Sequence, residues 1–434
     1  MKTSMLKLGT ALALVATAAT AEEVRVYNWS DYIDEELLAK FEAETGIDLI
    51  YDVFDSNEVL ETKMLAGGSG YDVVVPTASF MERQIAAGVF QPLDQSKLTN
   101  AGNIWDVIAQ RTAQFDPGNA YSVNYMWGTT GLGVNVAKVT EALGKDAPID
   151  SLALIFDPAN MEKLAGCGVH FLDAPDEVIP AALKYLGEDP NSKDPEVIKR
   201  AEEVLAPVAP YIQKFHSSEY INALANGEIC VAFGWSGDVL QARDRADEAE
   251  NGVEIAYNAP KEGALMWFDQ MAVPADAPNA EGAHKFINFI LDAHNMAAAS
   301  NYVYYANGNE ASQKLIDKEV DRLIHAEAVG VGVATAVSMN GTIDAFIVLW
   351  RNANLIARVS RIYFGRPHLG GSLRILRDVA AIVVVSRALE DVTDITGDVI
   401  GGLLGRMGGL VAARFHEIHP DRTCGLILSS PLLG

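Results

Sequence analysis

Cysteine is scarce. The 434-residue chain holds only Cys167, Cys230 and Cys424, and their separations match no zinc-ligand spacing. The marks of the common enzyme classes are also missing. There is no HExxH, no nucleophile elbow and no phosphate-cradling loop. Gly128-Thr129-Thr130-Gly131-Leu132-Gly133 is rich in glycine but has no lysine, and no helix immediately follows it. Two carboxylates can hydrolyse a glycoside, but nothing marks such a pair. These absences point to a protein that is not an enzyme and carries neither a metal nor another cofactor.

Positive charge is short overall. The chain has 33 Lys and Arg against 58 Asp and Glu, a formal net charge of −25. The imbalance is confined to one part. From Asp321 onward there are 11 Arg, no Lys and 10 acidic residues, so the preceding part holds 22 basic and 48 acidic side chains. So acidic a body excludes nucleic acid and anionic lipid as natural partners and suits a cationic ligand. Lys318 is the last lysine. That break in usage gives the tail a different origin from the body.

A long apolar run is missing at the N-terminus as well. Met1-Lys2-Thr3-Ser4-Met5-Leu6-Lys7-Leu8 opens a basic segment, followed by a short apolar stretch and Ala19-Thr20-Ala21. That is the layout of a secretory signal peptide over residues 1–21, with export to the periplasm and a mature chain from about Glu22. The apolar stretch is too short to span a bilayer. In an exported chain a Cys167–Cys230 disulfide fits the compartment and leaves Cys424 odd. A chain of this length calls for two or three domains.

What is present reads as alternating strand and helix. Val24-Arg25-Val26-Tyr27 alternates as a strand, and Ser30 or Asp31 is placed to cap a helix through Glu35–Phe41. Leu49–Phe54 forms a second strand, Asn57–Ala66 a helix closed by Gly67-Gly68-Ser69-Gly70, and Tyr71–Val75 a third strand stopped by Pro76. Such alternation predicts an α/β fold with helix-covered parallel strands. Tyr27-Asn28-Trp29-Ser30-Asp31-Tyr32 and Thr77 then fall at the carboxyl edge of the sheet, where open α/β folds bind small ligands. Aromatic faces beside a carboxylate suit an organic cation. Tyr125–Asn135 reads as a glycine-broken strand crossing between two lobes. Residues 151–252 are mainly helical, with short strands at Val169–Leu172 and Ile229–Phe233. Ile255–Pro260 and Leu265–Val273 return to strand, and Gly282–Met296 reads as one amphipathic helix.

Several strings along this body resemble the periplasmic polyamine-binding proteins of ABC importers, most closely the putrescine-binding type. They include Val26-Tyr27-Asn28-Trp29-Ser30-Asp31-Tyr32-Ile33, Tyr51–Glu61, Phe171-Leu172-Asp173-Ala174-Pro175, Phe215-His216-Ser217-Ser218, Gly234-Trp235-Ser236-Gly237-Asp238 and Pro260-Lys261-Glu262-Gly263-Ala264. The resemblance spans about residues 24–320. It implies a two-lobed periplasmic binding protein of type II with mixed sheets, closing on its ligand at a hinge. One lobe would comprise 22–126 and 250–320, the other 127–249. It further implies a Cys167–Cys230 disulfide, a monomeric body, a polyamine ligand and an inner-membrane ABC permease as partner.

The resemblance also implies a ligand set: Trp29, Ser30, Asp31, Tyr32, Thr77, Glu177, Trp235, Asp238, Trp267, Asp269 and Tyr305. A linear polyamine needs carboxylates at its ends and aromatic walls along its methylene stem, because a buried ammonium must be paired. Asp238 and Asp269 would take the ammonium groups, with Trp29, Trp235 and Trp267 as walls. Asp31 and Glu177 would serve the other end, partly through water, and Ser30 and Thr77 would add acceptors. Singly, each residue has an ordinary structural reading. Trp267 suits a core, Asp238 a helix cap, Asp269 a solvated strand, Glu177 a helix start and Tyr305 simple packing.

From about Asp321 to 415 the strings change. Ala334–Ser338, Asp344–Asn352, Leu355–Arg358, Gly365-Arg366-Pro367 and Leu373–Arg377 resemble the C-terminal domain of YcjF-like bacterial inner-membrane proteins. That implies a helical appendage over 321–434, fused where the receptor family continues its own chain. The uncharged run Ala328–Ile343 has 16 residues, short of a span, so peripheral membrane contact is the expectation. The alternative function is then a membrane-associated fusion with impaired or absent ligand binding, or a receptor for spermidine or another amine.

Overall fold

Strand alternation is decided by what each face buries. Val24 and Val26 are fully buried in the first strand, whereas Glu23 and Arg25 are exposed. The computed structural model describes residues 22–318 together with Arg322 and Leu355. The segment read as a signal peptide and nearly all of the expected tail lie outside the described residues.

Among the described residues ten strands run in chain order: β1 (Glu23–Trp29), β2 (Asp48–Phe54), β3 (Val73–Val74), β4 (Ser122–Asn135), β5 (Val169–Phe171), β6 (Lys214–Phe215), β7 (Val231–Trp235), β8 (Ile255–Asn258), β9 (Leu265–Ala272) and β10 (Ala306–Asn307). Their order is β2-β1-β3-β9-β4-β7-β5-β6, with β8 and β10 also pairing with β4. The parallel group β2-β1-β3 meets antiparallel β9 at Val74↔Ala272. A second parallel group, β7-β5-β6, meets β4. The sheet is mixed because β9 runs against the first group, β4 against the second, and the two against each other.

β4 belongs to both lobes. Its residues 122–130 pair with β9, and 130–135 pair with β7 and β8. The expected glycine-broken strand is one continuous strand of 14 residues. Its glycines mark close approaches. A Cβ on Gly131 would lie 2.6 Å from the Asn258 carbonyl oxygen, and one on Gly133 2.7 Å from Val239.

Two lobes follow from the packing. Val24, Val26, Phe41 and Leu60 share one core with Phe286, Ile287 and Ile290. Leu132, Leu154, Phe171 and Phe233 form another, extended by Tyr220, Val239 and Ile255. Ile255 lies beyond the expected boundary at 249, because β8 pairs with the second-lobe half of β4. Cys167 and Cys230 form a disulfide with Cα atoms 5.5 Å apart, joining the chain just before β5 to the chain just before β7.

Two local expectations are corrected. The cap of the helix Glu35–Thr45 is Asp34, which accepts from Glu36 N at 2.9 Å, and not Ser30 or Asp31. Ser30 N is still bonded to Phe54 O at 3.0 Å, and Asp31 turns the chain at φ 52°, so the helix starts later. The region expected as one helix from Gly282 is two, Ala280–Ile290 and Ala293–Val303. Asp292 interrupts it by capping the second helix, accepting from His294 N and Asn295 N.

Candidate functional site

A cleft of about 380 Å³, open at its mouth, lies at the carboxyl edge of β1, β3 and β7. It gathers ten of the eleven residues named from the sequence, all but Asp31, and adds Asn57.

From the first lobe, β1 ends in Trp29, whose indole N–H donates to Val75 O at 2.9 Å. Ser30 and Tyr32 follow in the turn. Thr77 occupies the cap position of the helix Ala78–Ala86 but makes no side-chain cap bond. Its hydroxyl instead donates to Asp269 Oδ1 at 2.7 Å and accepts from Asn57 Nδ2 at 3.0 Å. Tyr32 OH donates to the other Asp269 oxygen at 2.8 Å. Asp269 is 4% exposed, so it is not a solvated strand residue. It alternates with Trp267 on β9, which places both on one face.

From the second lobe, β7 ends in Trp235 and runs into the helix Ser236–Glu248. Asp238 lies in its first turn but caps nothing. It accepts from Tyr220 OH at 2.8 Å and Tyr305 OH at 2.6 Å. Glu177, in the first turn of the helix Pro175–Tyr185, accepts from the Trp235 indole N–H at 2.7 Å and from the Thr130 hydroxyl. The indoles form a stepped wall. Trp29 meets Trp235 edge-on with ring centres 5.4 Å apart, and Trp235 stands at 74° to Trp267 at 6.4 Å.

Asp31 stays at the rim. It lies outside the lining, and its carboxylate pairs with Arg245 on the helix Ser236–Glu248. The role expected for it at the ligand's far end meets that competitor. Tyr220 and Thr130 were missed by sequence reasoning. The signal for Tyr220 lay in the glycines: a Cβ on Gly234 would come within 2.6 Å of its ring, and one on Gly237 within 2.5 Å of the Tyr305 ring. Both tyrosines that hold Asp238 therefore need those glycines. Gly237→Ala is expected to displace Tyr305 and lower stability by about 1–3 kcal/mol, the usual result of overpacking, measured by thermal denaturation.

The electrostatics are one-sided. Asp238, Asp269 and Glu177 make no ion pair with a Lys or Arg among the described residues. Burial raises Asp269 to about 7, against the opposing donors Thr77 and Tyr32. Burial likewise raises Asp238 to about 7, opposed by Tyr305 and Tyr220. Glu177 is pushed up to about 8 by burial and then by neighbouring Asp176. Neutral groups in the fold thus hold three buried acids, and burial outweighs the donors that favour their charge. Among the described residues no cluster of three or more His, Cys, Asp or Glu could hold a metal ion, and no helix is long and apolar enough to cross a membrane.

Two lobes sharing a strand, with a buried aromatic and acidic cleft between them, define a ligand receptor of the type II periplasmic-binding fold. Residues 36–328 match the family described as bacterial extracellular solute-binding protein, and the chain belongs to that family. It is 52% identical over 311 residues to the putrescine-binding periplasmic protein PotF of Escherichia coli K12, covering 71% of this chain and 84% of that one. It is 51% identical to the putrescine-binding periplasmic protein SpuD of Pseudomonas aeruginosa, covering 73% and 86%. A solved relative is the spermidine/putrescine ABC transporter substrate-binding protein PotD from Streptococcus pneumoniae. It is 32% identical with a TM-score of 0.55, covering 68% of this chain and 85% of that one. A second match, to a domain of unknown function (DUF697), spans residues 306–417 and overlaps the end of the first.

Proposed function

We propose that the protein captures a linear polyamine, putrescine foremost, in the periplasm and delivers it to an inner-membrane ABC permease. The observation that carries this is the cleft itself: three buried carboxylates without a cationic partner among the described residues, walled by indoles. An ammonium at each end of the ligand would pair with Asp238 and Asp269, while Trp29, Trp235 and Trp267 cover the methylene stem. Cation–π contacts add about 0.5–2 kcal/mol each. The names of the close relatives support the same ligand class. In this reading residues 1–21 are the export signal, the body acts as a monomer without catalysis, and closure of the lobes presents a surface to the permease.

A second reading rests on the match of residues 306–417 to a domain outside the receptor family. It makes the chain a membrane-associated fusion whose receptor part has lost its ligand. A thermal-shift titration of the chain from Glu22 with putrescine, spermidine and glutamate separates the readings. A ligand that binds only the native state adds about 2.7 kcal/mol of stability at a hundredfold over Kd. The expected order is putrescine above spermidine, with no response to glutamate. Spermidine above putrescine would reassign the amine. A cooperative transition indifferent to all three, with the protein pelleting on membranes, would overturn the receptor reading.

A further inference from the structure

Two of the three cleft carboxylates have only hydroxyl donors, but Glu177 is tied to indoles. Trp235 Nε1 donates to Glu177 Oε1 at 2.7 Å. Thr130 Oγ1 donates to Glu177 Oε2 and accepts from Trp267 Nε1 at 3.2 Å. Both oxygens of Glu177 are therefore engaged, and one unbroken chain of hydrogen bonds joins the two indoles across β4. The Trp267 ring is also fixed from below, because a Cβ on Gly128 would lie 2.7 Å from it. Gly128 is the register partner of Trp267, and Thr130 follows two residues later on the same face of β4. Thr130 is 1% exposed, so water does not replace its hydroxyl there.

We propose that Thr130 and Glu177 form a positioning bracket that sets the angle between the indole walls, so that Glu177 acts on the ligand through Trp235 and Trp267. The proposal rests on the amine-receptor reading and gives that site two residues with a structural task in recognition. The indole planes stand at 74° with centres 6.4 Å apart, a corner that fits a narrow methylene chain and its terminal ammonium. An indole N–H in a dry site needs an acceptor. Without the Thr130 oxygen, Trp267 would seek another and open the corner. Sequence reading placed Thr130 only within a glycine-rich string, since its partners lie 47 and 137 residues away.

The test is a double-mutant cycle read by calorimetric titration with putrescine, on Thr130→Val, Thr130→Ser, Trp267→Phe and Thr130→Val with Trp267→Phe. Thr130→Val is expected to weaken binding about tenfold, and Thr130→Ser, which keeps the hydroxyl, to remain within about threefold of the unaltered chain. In the Trp267→Phe background the valine should weaken binding clearly less than in the unaltered chain, because the N–H it orphans is gone and only the bond to Glu177 is still lost. Equal binding by Thr130→Val, or additive losses in the cycle, would overturn the bracket. If the unaltered chain binds no amine, the receptor reading fails while the bracket is still decided, by the indole ¹H–¹⁵N signals of the ligand-free protein. Those of Trp235 and Trp267, assigned with Phe variants, should both move in Thr130→Val. An unmoved Trp267 signal would sink the proposal. Should Thr130→Val not fold, Thr130→Ala in the same spectra replaces it.

Discussion

Asp269→Asn is expected to weaken putrescine binding by roughly thirty- to several thousandfold while making the ligand-free protein more stable at pH 8. Removing one partner of a buried, hydrogen-bonded charge pair costs about 2–5 kcal/mol, which sets that range of affinity. The stability gain has the opposite origin. Asp269 is buried against Tyr32 and Thr77 with no cation beside it, so its charge opposes folding until a ligand arrives. Asparagine removes the charge at nearly the same volume, and both neighbours carry hydroxyls that can accept from the amide. At pH 5 only the unfolded carboxyl is ionised, so the advantage of the variant should be much smaller there, vanishing below about pH 4. Melting curves at the two pH values, with a titration at pH 8, measure both halves. Unchanged affinity in folded Asp269→Asn would exclude Asp269 as an ammonium partner.

The second large effect is on pH. Asp238 and Asp269 are raised to about 7 and Glu177 to about 8, whereas the unfolded chain titrates them near 3.8 and 4.5. Between about pH 4 and 8 the folded protein therefore holds protons that the unfolded chain has released. Stability of the ligand-free form should fall as pH rises through that window. Ligand affinity should move the other way. An ammonium favours the ionised carboxylates, so binding expels protons, and affinity should fall on acidification below 7 by up to about tenfold per pH unit for each proton displaced. Titrations at pH 7 in buffers of different ionisation enthalpy count those protons directly. A proton count of zero with affinity flat from pH 5 to 8 would mean that neither aspartate meets the amine.

Both effects come from residues with unequal visibility in the sequence. Trp267 and Asp269 alternate on a strand, and Trp29, Thr77, Trp235 and Asp238 each follow a strand end, so a βαβ pattern alone carries them to one edge. The helix Asn57–Ala66 was legible to the residue because Ser56 caps it and Gly67 ends it. Asp31 had the right address and a different outcome: its backbone turns at φ 52°, and its carboxylate meets Arg245, 214 residues further on. Local pattern cannot see such a partner. Tyr220 and Thr130 escaped for the same reason. Each supports a ligand-facing side chain from an element that reads as ordinary, a six-residue helix and a glycine-rich strand. Where Asp292 cut one helix into two, the apolar period continued across the break and hid it.

The way the chain threads its two cores bears on the order in which they can be completed. The second lobe is contiguous, from Leu132 to Ile255, and encloses both Cys167 and Cys230. The first is split: β3 waits for β9, and Phe41 waits for Phe286 and Phe289. A chain emerging from its N-terminus can complete the later lobe and its disulfide while the earlier one is still open. The half that begins the protein thus needs the last described strands and helices to close its core.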